Sequence, residues 1–184
     1  MQELRRRTGA GAGVRTGSAG RIIAAFGVTV DLLALSIWLG GLIAIGAFVA
    51  PIAFHAAQTT PLLAGDDTAQ KTLAGSIVGG SFRVYNNAAI VCGVVLLTGA
   101  VRLRRLGSSG ASTRLLGVSV AAALAISAWQ QYRMFPAMDS AQAAGNMAQF
   151  DVLHQMYVAL SQGQLAILVA AAACYGWCLV GARR

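Results

Sequence analysis

Charge is what this sequence has least of. Asp, Glu, Lys and Arg together make up 11% of its 184 residues, against about a quarter in ordinary soluble domains. So little charge cannot clothe a water-facing surface, which argues against a soluble domain beside the apolar part. Cysteine is scarce too, with three in all, too few for a disulfide framework. Cys174 and Cys178 lie one helical turn apart, without the geometry for an easy disulfide. With Cys92 they read as buried free thiols. There are two histidines, and no Walker, Rossmann or Cys-x-x-Cys pattern. No nucleophile, base and orienting group share a useful spacing. No catalytic residue is assigned, and the sequence leans away from an enzyme, a hydrolase or a nucleotide-driven pump.

What is present is apolar. Hydrophobic residues reach 57% and the mean hydropathy is +0.65. Four runs are long enough to cross a bilayer, which takes roughly twenty residues as a helix. They fall at about residues 22–54, 73–101, 115–132 and 150–180, the first broken only by Asp31. Helix is required of all four, because an open sheet leaves backbone groups unsatisfied in lipid. The expected fold is therefore all-α, an integral membrane four-helix bundle running up-down-up-down over residues 21–184. Residues 1–20, "MQELRRRTGAGAGVRTGSAG", carry no apolar pattern and read as a flexible basic cytoplasmic tail. The run that follows is too long for a signal-peptide core, so it reads as an uncleaved signal-anchor.

The net charge of +8 does not point to nucleic acid, because the basic residues are segregated. Arg5, Arg6, Arg7, Arg15 and Arg21 precede the first run. Arg102, Arg104, Arg105 and Arg114 share the middle connection, and Arg183 and Arg184 end the chain. The other two connections hold Asp66, Asp67 and Asp139, with Lys71 and Arg133 as their basic residues. This is the positive-inside pattern. It predicts an N-in/C-in, multi-pass protein of the cytoplasmic (inner) membrane whose principal partner is the lipid bilayer.

Polar residues inside the apolar runs are the candidates for function. "SFRVYNNAAIVCGVV" puts Arg83, Asn86 and Asn87 on one side of the second helix by the i, i+3, i+4 rule. A snorkelling arginine with polar neighbours at the interface is one reading. The fourth helix carries Asp151, His154, Tyr157, Ser161 and Gln164 at steps of three or four, and the third ends in "AWQQYRMFPAM". In the first helix Ser36, Gly40, Ala44, Ala47 and Pro51 form a small-residue face that lets a neighbour approach closely, with His55 beyond it. Polar groups in lipid are costly and turn towards a bundle interior or a wet cavity. The second reading is thus an outward-facing polar pocket with ligand-binding residues Arg83, Asn86, Asn87, Asp151, His154 and Tyr157. In that reading Arg83 turns inward and pairs with Asp151.

Two segments carry a family resemblance. "WLGGLIAIGAFVAPIAF" (Trp38 to Phe54) has a tryptophan, a glycine pair and Ala-Pro-x-x-Phe, and "FDVLHQMYVALSQGQL" (Phe150 to Leu165) has a phenylalanine, Leu-His and Tyr-Val, with the proline of "RMFPAM" between them. These resemble a bacterial family of four-helix membrane proteins of unknown function, related to eukaryotic transmembrane protein two-hundred-and-five. The resemblance implies a fold and no established activity, and it places His154 inside a family motif. A looser similarity joins the chain to copper-resistance D membrane domains and to the four-helix protoporphyrinogen oxidase of bacteria. Here Trp38, Gly41 and Leu42 lead to His55 with a longer spacing and without the intervening arginine.

Those likenesses leave several ligand classes open. His55 and His154 on neighbouring helices are placed to hold haem b iron through two imidazoles, or each bonds a local backbone group instead. Met134, Met138, Met147 and Met156 gather around the second outer connection. With the histidines, Met134, Met138 and Met156 make a candidate copper site, since soft thioethers suit Cu(I); equally, methionine fills apolar gaps. Asp31 is either an ion or proton carrier or the cytoplasmic start of the first span. The leading expectation is binding or transport of a small solute or metal ion. A haem-binding redox protein is the alternative, as is a scaffold joined to a membrane partner or to its own copies.

Overall fold

A computed structural model describes residues 18–105 and 110–181. The expected basic tail lies outside the described residues apart from Ser18–Gly20, which open the first helix; Arg183 and Arg184 lie outside them as well. In chain order the elements are α1 (Ser18–Ala44), a π-type turn at Ile45–Val49, α2 (Ala50–Thr59) and a 3-10 turn at Pro61–Leu63. Then come α3 (Asp67–Arg105), α4 (Ala111–Trp129), a second π-type turn at Gln130–Met134, α5 (Phe135–Ala143) and α6 (Met147–Gly181). Among the described residues there is no strand. Four stretches of the described residues are long and apolar enough to cross a membrane: Ala25–Thr59, Asp67–Arg105, Ala111–Ala143 and Met147–Val180. The all-α, four-helix membrane architecture is thereby established.

The helices run further than hydropathy alone indicates. The first span continues to Thr59 rather than 54, and the third to Ala143 rather than 132. Each passes a proline at the first turn of its second half, Pro51 in α2 and Pro136 in α5. A proline inside a helix removes an N–H and collides with the carbonyl four residues back. In both spans the five residues of a π-type turn end just before that first turn, and the wider turn relieves the collision so that the helix carries on. At the ends of α3, Asp67 and the arginines 102, 104 and 105 extend the helix beyond its apolar centre. An acid in the first turn and bases in the last both suit the helix dipole.

Two tight turns close the hairpins opposite the arginine-rich connection. Gly65 and Gly145 take positive φ values of 84° and 68°, a conformation glycine adopts without penalty. Each is followed by a capping side chain. Asp66 Oδ1 accepts the Ala69 N–H at 2.9 Å, and Asn146 Oδ1 accepts that of Gln149 at 3.1 Å, each satisfying a free donor of the new helix.

α1 packs on α3 and α6, and α4 packs on α3 and α6, so the four spans form a ring. Its core holds Trp38, Ala89, Val120, Ala123, Leu168 and Ala171, all without exposed surface. Towards the hairpin end the packing divides. α2 sits on α3 through Ala53, Ala57 and Ala74, while α5 sits on α6 around Met134, Phe135, Met138 and Tyr157.

Candidate functional site

The outer polar groups separate in the folded chain. Arg83 bonds Asp139 on α5, and its guanidinium lies 5.1 Å from the centre of the Phe135 ring. This corrects the expected pairing with Asp151, which is exposed and in no ion pair among the described residues. Continuation of the third helix past Pro136 is what brings Asp139 to Arg83. Asn87 is exposed while Asn86 is wholly buried, because adjacent helical residues lie about 100° apart. His154 is exposed and stacks on Phe150, with ring centres 6.0 Å apart.

The structure does not bring His55 and His154 together. The first and fourth spans are neighbours, but His55 belongs to α2, whose packing partner is α3. Its buried face there is Ala53 and Ala57, each two residues from His55, so the exposed imidazole points the other way. Facing axial ligands for haem are therefore not formed. Met134 and Met138 are buried in an apolar cluster with Phe135 and Tyr157, whereas Met156 is exposed. The two methionines act there as packing. Among the described residues no three His, Cys, Asp or Glu side chains gather as metal ligands.

Deeper in the bundle lies a polar group of a different kind. Asn86 on α3 has no exposed surface, and neither atom of its carboxamide makes a well-aligned hydrogen bond. It lies within hydrogen-bonding reach of the Tyr157 hydroxyl, which is likewise buried, although the two are not well aligned for a bond. Phe82 and Phe135 wall the tyrosine ring at 5.2 Å each. Gln130, in the second π-type turn, donates to Ser161 Oγ at 3.0 Å but leaves its own carbonyl oxygen free. One turn deeper, Gln164 donates to Ser127 Oγ at 2.7 Å and leaves its carbonyl free as well. Trp38 Nε1 adds an unpaired donor from the first span.

Each such group costs about 1–3 kcal/mol when buried without a partner. All four spans contribute one, and the set mixes donors with acceptors. None carries a formal charge. That chemistry suits a small neutral hydrogen-bonding molecule, water included, better than a bare ion.

The Trp38-Leu39-Gly40-Gly41 segment serves this interior by packing. Tyr85 donates its hydroxyl to the Trp38 carbonyl at 2.6 Å. Its ring lies so close to α1 that a side chain on Gly41 would meet Cε2 at 2.7 Å. The tryptophan and second glycine of the motif thus seat α3 against α1.

A second buried polar constellation occupies the arginine-rich end. Asp31 is 1% exposed; it bonds Arg102 of α3 and accepts the Tyr175 hydroxyl of α6 at 2.8 Å. Space for it is made by glycine, because a Cβ on Gly99 would lie 2.6 Å from the Asp31 carboxyl carbon. Gly27 likewise leaves room for the Arg102 guanidinium. Asp31 sits well inside α1, which begins at Ser18, so residues 22–30 are helix rather than an interfacial turn. Sequence reading assigned Arg102 only to topology and passed over Tyr175. Each is unremarkable alone, and their separations of 71 and 144 residues from Asp31 give no local signal.

Comparison with known proteins places the chain in a family. Residues 33–147, well over half of it, match the family described as Domain of unknown function (DUF4149), and the chain belongs to that family. The matched region holds the Trp38–Phe54 segment and the proline of "RMFPAM", and it ends before the Phe150–Leu165 segment. No curated protein and no solved structure matches the chain.

Proposed function

We propose that this family member is a multi-pass membrane protein that binds a small, neutral, hydrogen-bonding solute between its helices, at Asn86, Gln130 and Tyr157. The observation that carries the reading is Asn86. Buried in a membrane span with no well-aligned bond beyond its contact with the Tyr157 hydroxyl, this carboxamide has donor and acceptor capacity left for a bound molecule. The aromatic rings of Phe82 and Phe135 supply the apolar walls usual for small-molecule sites. Charge segregation supports N-in/C-in insertion in an inner membrane, with the hairpin end outside, so the solute enters from that side. Kinship to transmembrane protein two-hundred-and-five rests on the Trp38–Phe54 and Phe150–Leu165 segments, the likeness to copper-resistance D domains is looser, and neither adds a ligand.

Asn86→Leu tests the reading. The apolar isostere removes the poorly paired amide, so thermal stability in detergent rises, as it does when a functional site is traded for packing. Proteoliposomes of the native chain swell in gradients of glycerol or urea faster than those of the variant. Loss of stability together with unchanged swelling would return Asn86 to a structural role.

A second reading has its own support. Ser36, Gly40, Ala44, Ala47 and Pro51 are all exposed on the outer face of the first span. That face suits a close helix from a membrane partner or another copy of the chain, as a scaffold subunit requires.

A further inference from the structure

The arginines at the end of α3 hold more than Asp31. A groove of about 310 Å³ runs along the outside of the helix, lined by Thr98, Val101, Arg102 and Arg105. We propose that this groove binds an anionic phospholipid, its phosphate held between Arg102 and Arg105 and its acyl chain lying along Val101 and Thr98. The inference is independent of the solute site around Asn86.

Charge and geometry support it together. Arg102 and Arg105 are three residues apart and project on one side of α3. The buried Asp31 neutralises Arg102, whereas Arg105 is in no ion pair with a described residue. A phosphodiester carries the one negative charge this pair lacks. A guanidinium offers five donors, so Arg102 can hold Asp31 through one Nη and still present others to a phosphate oxygen. Its side chain is 35% exposed, which leaves that edge accessible.

The groove is also graded in polarity. From Thr98 to Arg105 it spans about 10 Å along the helix, arginine at the membrane surface and Val101 one turn inward. Thr98 spends its hydroxyl on the Val94 carbonyl at 2.8 Å, turning its methyl outward with Val101. A soluble anion has no use for such a wall; a lipid does.

Arg104 provides the internal control. It is exposed and lies about 200° round the helix from Arg102, with the same net charge and none of the groove. The experiment is thermal unfolding of the full chain in a non-ionic detergent. Phosphatidylglycerol, phosphatidylcholine of the same chains, or inorganic phosphate is added in turn. Phosphatidylglycerol raises the unfolding temperature and the other two leave it close to the lipid-free value. Arg105→Gln weakens the phosphatidylglycerol response about fivefold in concentration, the equivalent of one arginine near a lipid surface, while Arg104→Gln leaves it unchanged. An equal response to phosphatidylcholine would overturn the proposal. So would an equal loss in Arg104→Gln, which marks diffuse surface charge. A full response to inorganic phosphate would replace the lipid with a small-anion site.

Discussion

Tyr175 donates its hydroxyl to Asp31 at 2.8 Å across 144 residues of chain. The carboxylate it reaches is also the partner of Arg102, so one aspartate joins the first, second and fourth spans. Buried away from water, each of these groups would be costly alone; together they satisfy one another.

Removing the aspartate should therefore cost more than removing an exposed one. Asp31→Ala lowers stability by about 2 kcal/mol, the scale of a hydrogen bond to a charged group. Asp151→Ala changes it by less than about 0.5 kcal/mol, as surface substitutions do. Combining Asp31→Ala with Arg102→Gln gives less than the sum of the two, since the second change removes a charge the first has stranded. Additive losses would show that the pair is not coupled.

Gly99 offers a test of the same site without touching a charge. A methyl there collides with the Asp31 carboxylate, whereas a Cβ on Gly79, in the same helix, meets nothing within 4 Å. Gly99→Ala is expected to destabilise by about 1–3 kcal/mol through overpacking. Gly79→Ala is neutral or slightly favourable, alanine being the better helix former. Thermal melts of the two variants side by side decide it.

For Arg83 the partner can be identified by a double-mutant cycle. Arg83 and Asp139 have side chains 45% and 50% exposed, so a coupling of only about 0.5 kcal/mol is expected. Its sign is favourable, and the same cycle run with Asp151 gives zero. A coupling to Asp151 instead would contradict the observed pairing.

Topology is accessible to labelling. A cysteine placed at Asp66, in the exposed turn between α2 and α3, reacts with a membrane-impermeant maleimide in intact cells if the hairpin end faces outward. Reaction only after the membrane is opened reverses the proposed orientation.

The membrane class was legible in the sequence because it depends on run length and charge placement, both local. Side-chain direction was harder. On the fourth helix, steps of three residues drift by about 60° each at 100° per residue. A stripe that begins inward at Tyr157 is therefore displaced by His154 and faces elsewhere by Asp151. Steps of four and seven hold the face better, and Ser161 and Gln164 do point inward with Tyr157. Asp139 was missed for another reason. Pro136 reads as the end of a helix, and nothing in its neighbours announces the π-type turn that lets the helix pass it. The Asp31 constellation depends on ring order, which residue spacing does not encode.

The two π-type turns have a mechanical consequence. Each lies about ten residues, or some 15 Å, from the hairpin end of its span, at Ile45–Val49 and Gln130–Met134. Beyond them the rods are short, and α2 leans on α3 while α5 leans on α6. The protein is thus shaped like a pair of tweezers, riveted by Asp31, Arg102 and Tyr175 at one end and jointed partway up each of two prongs. Bending costs least at the joints, and beyond them the Arg83–Asp139 pair ties the α2–α3 side to the α5–α6 side.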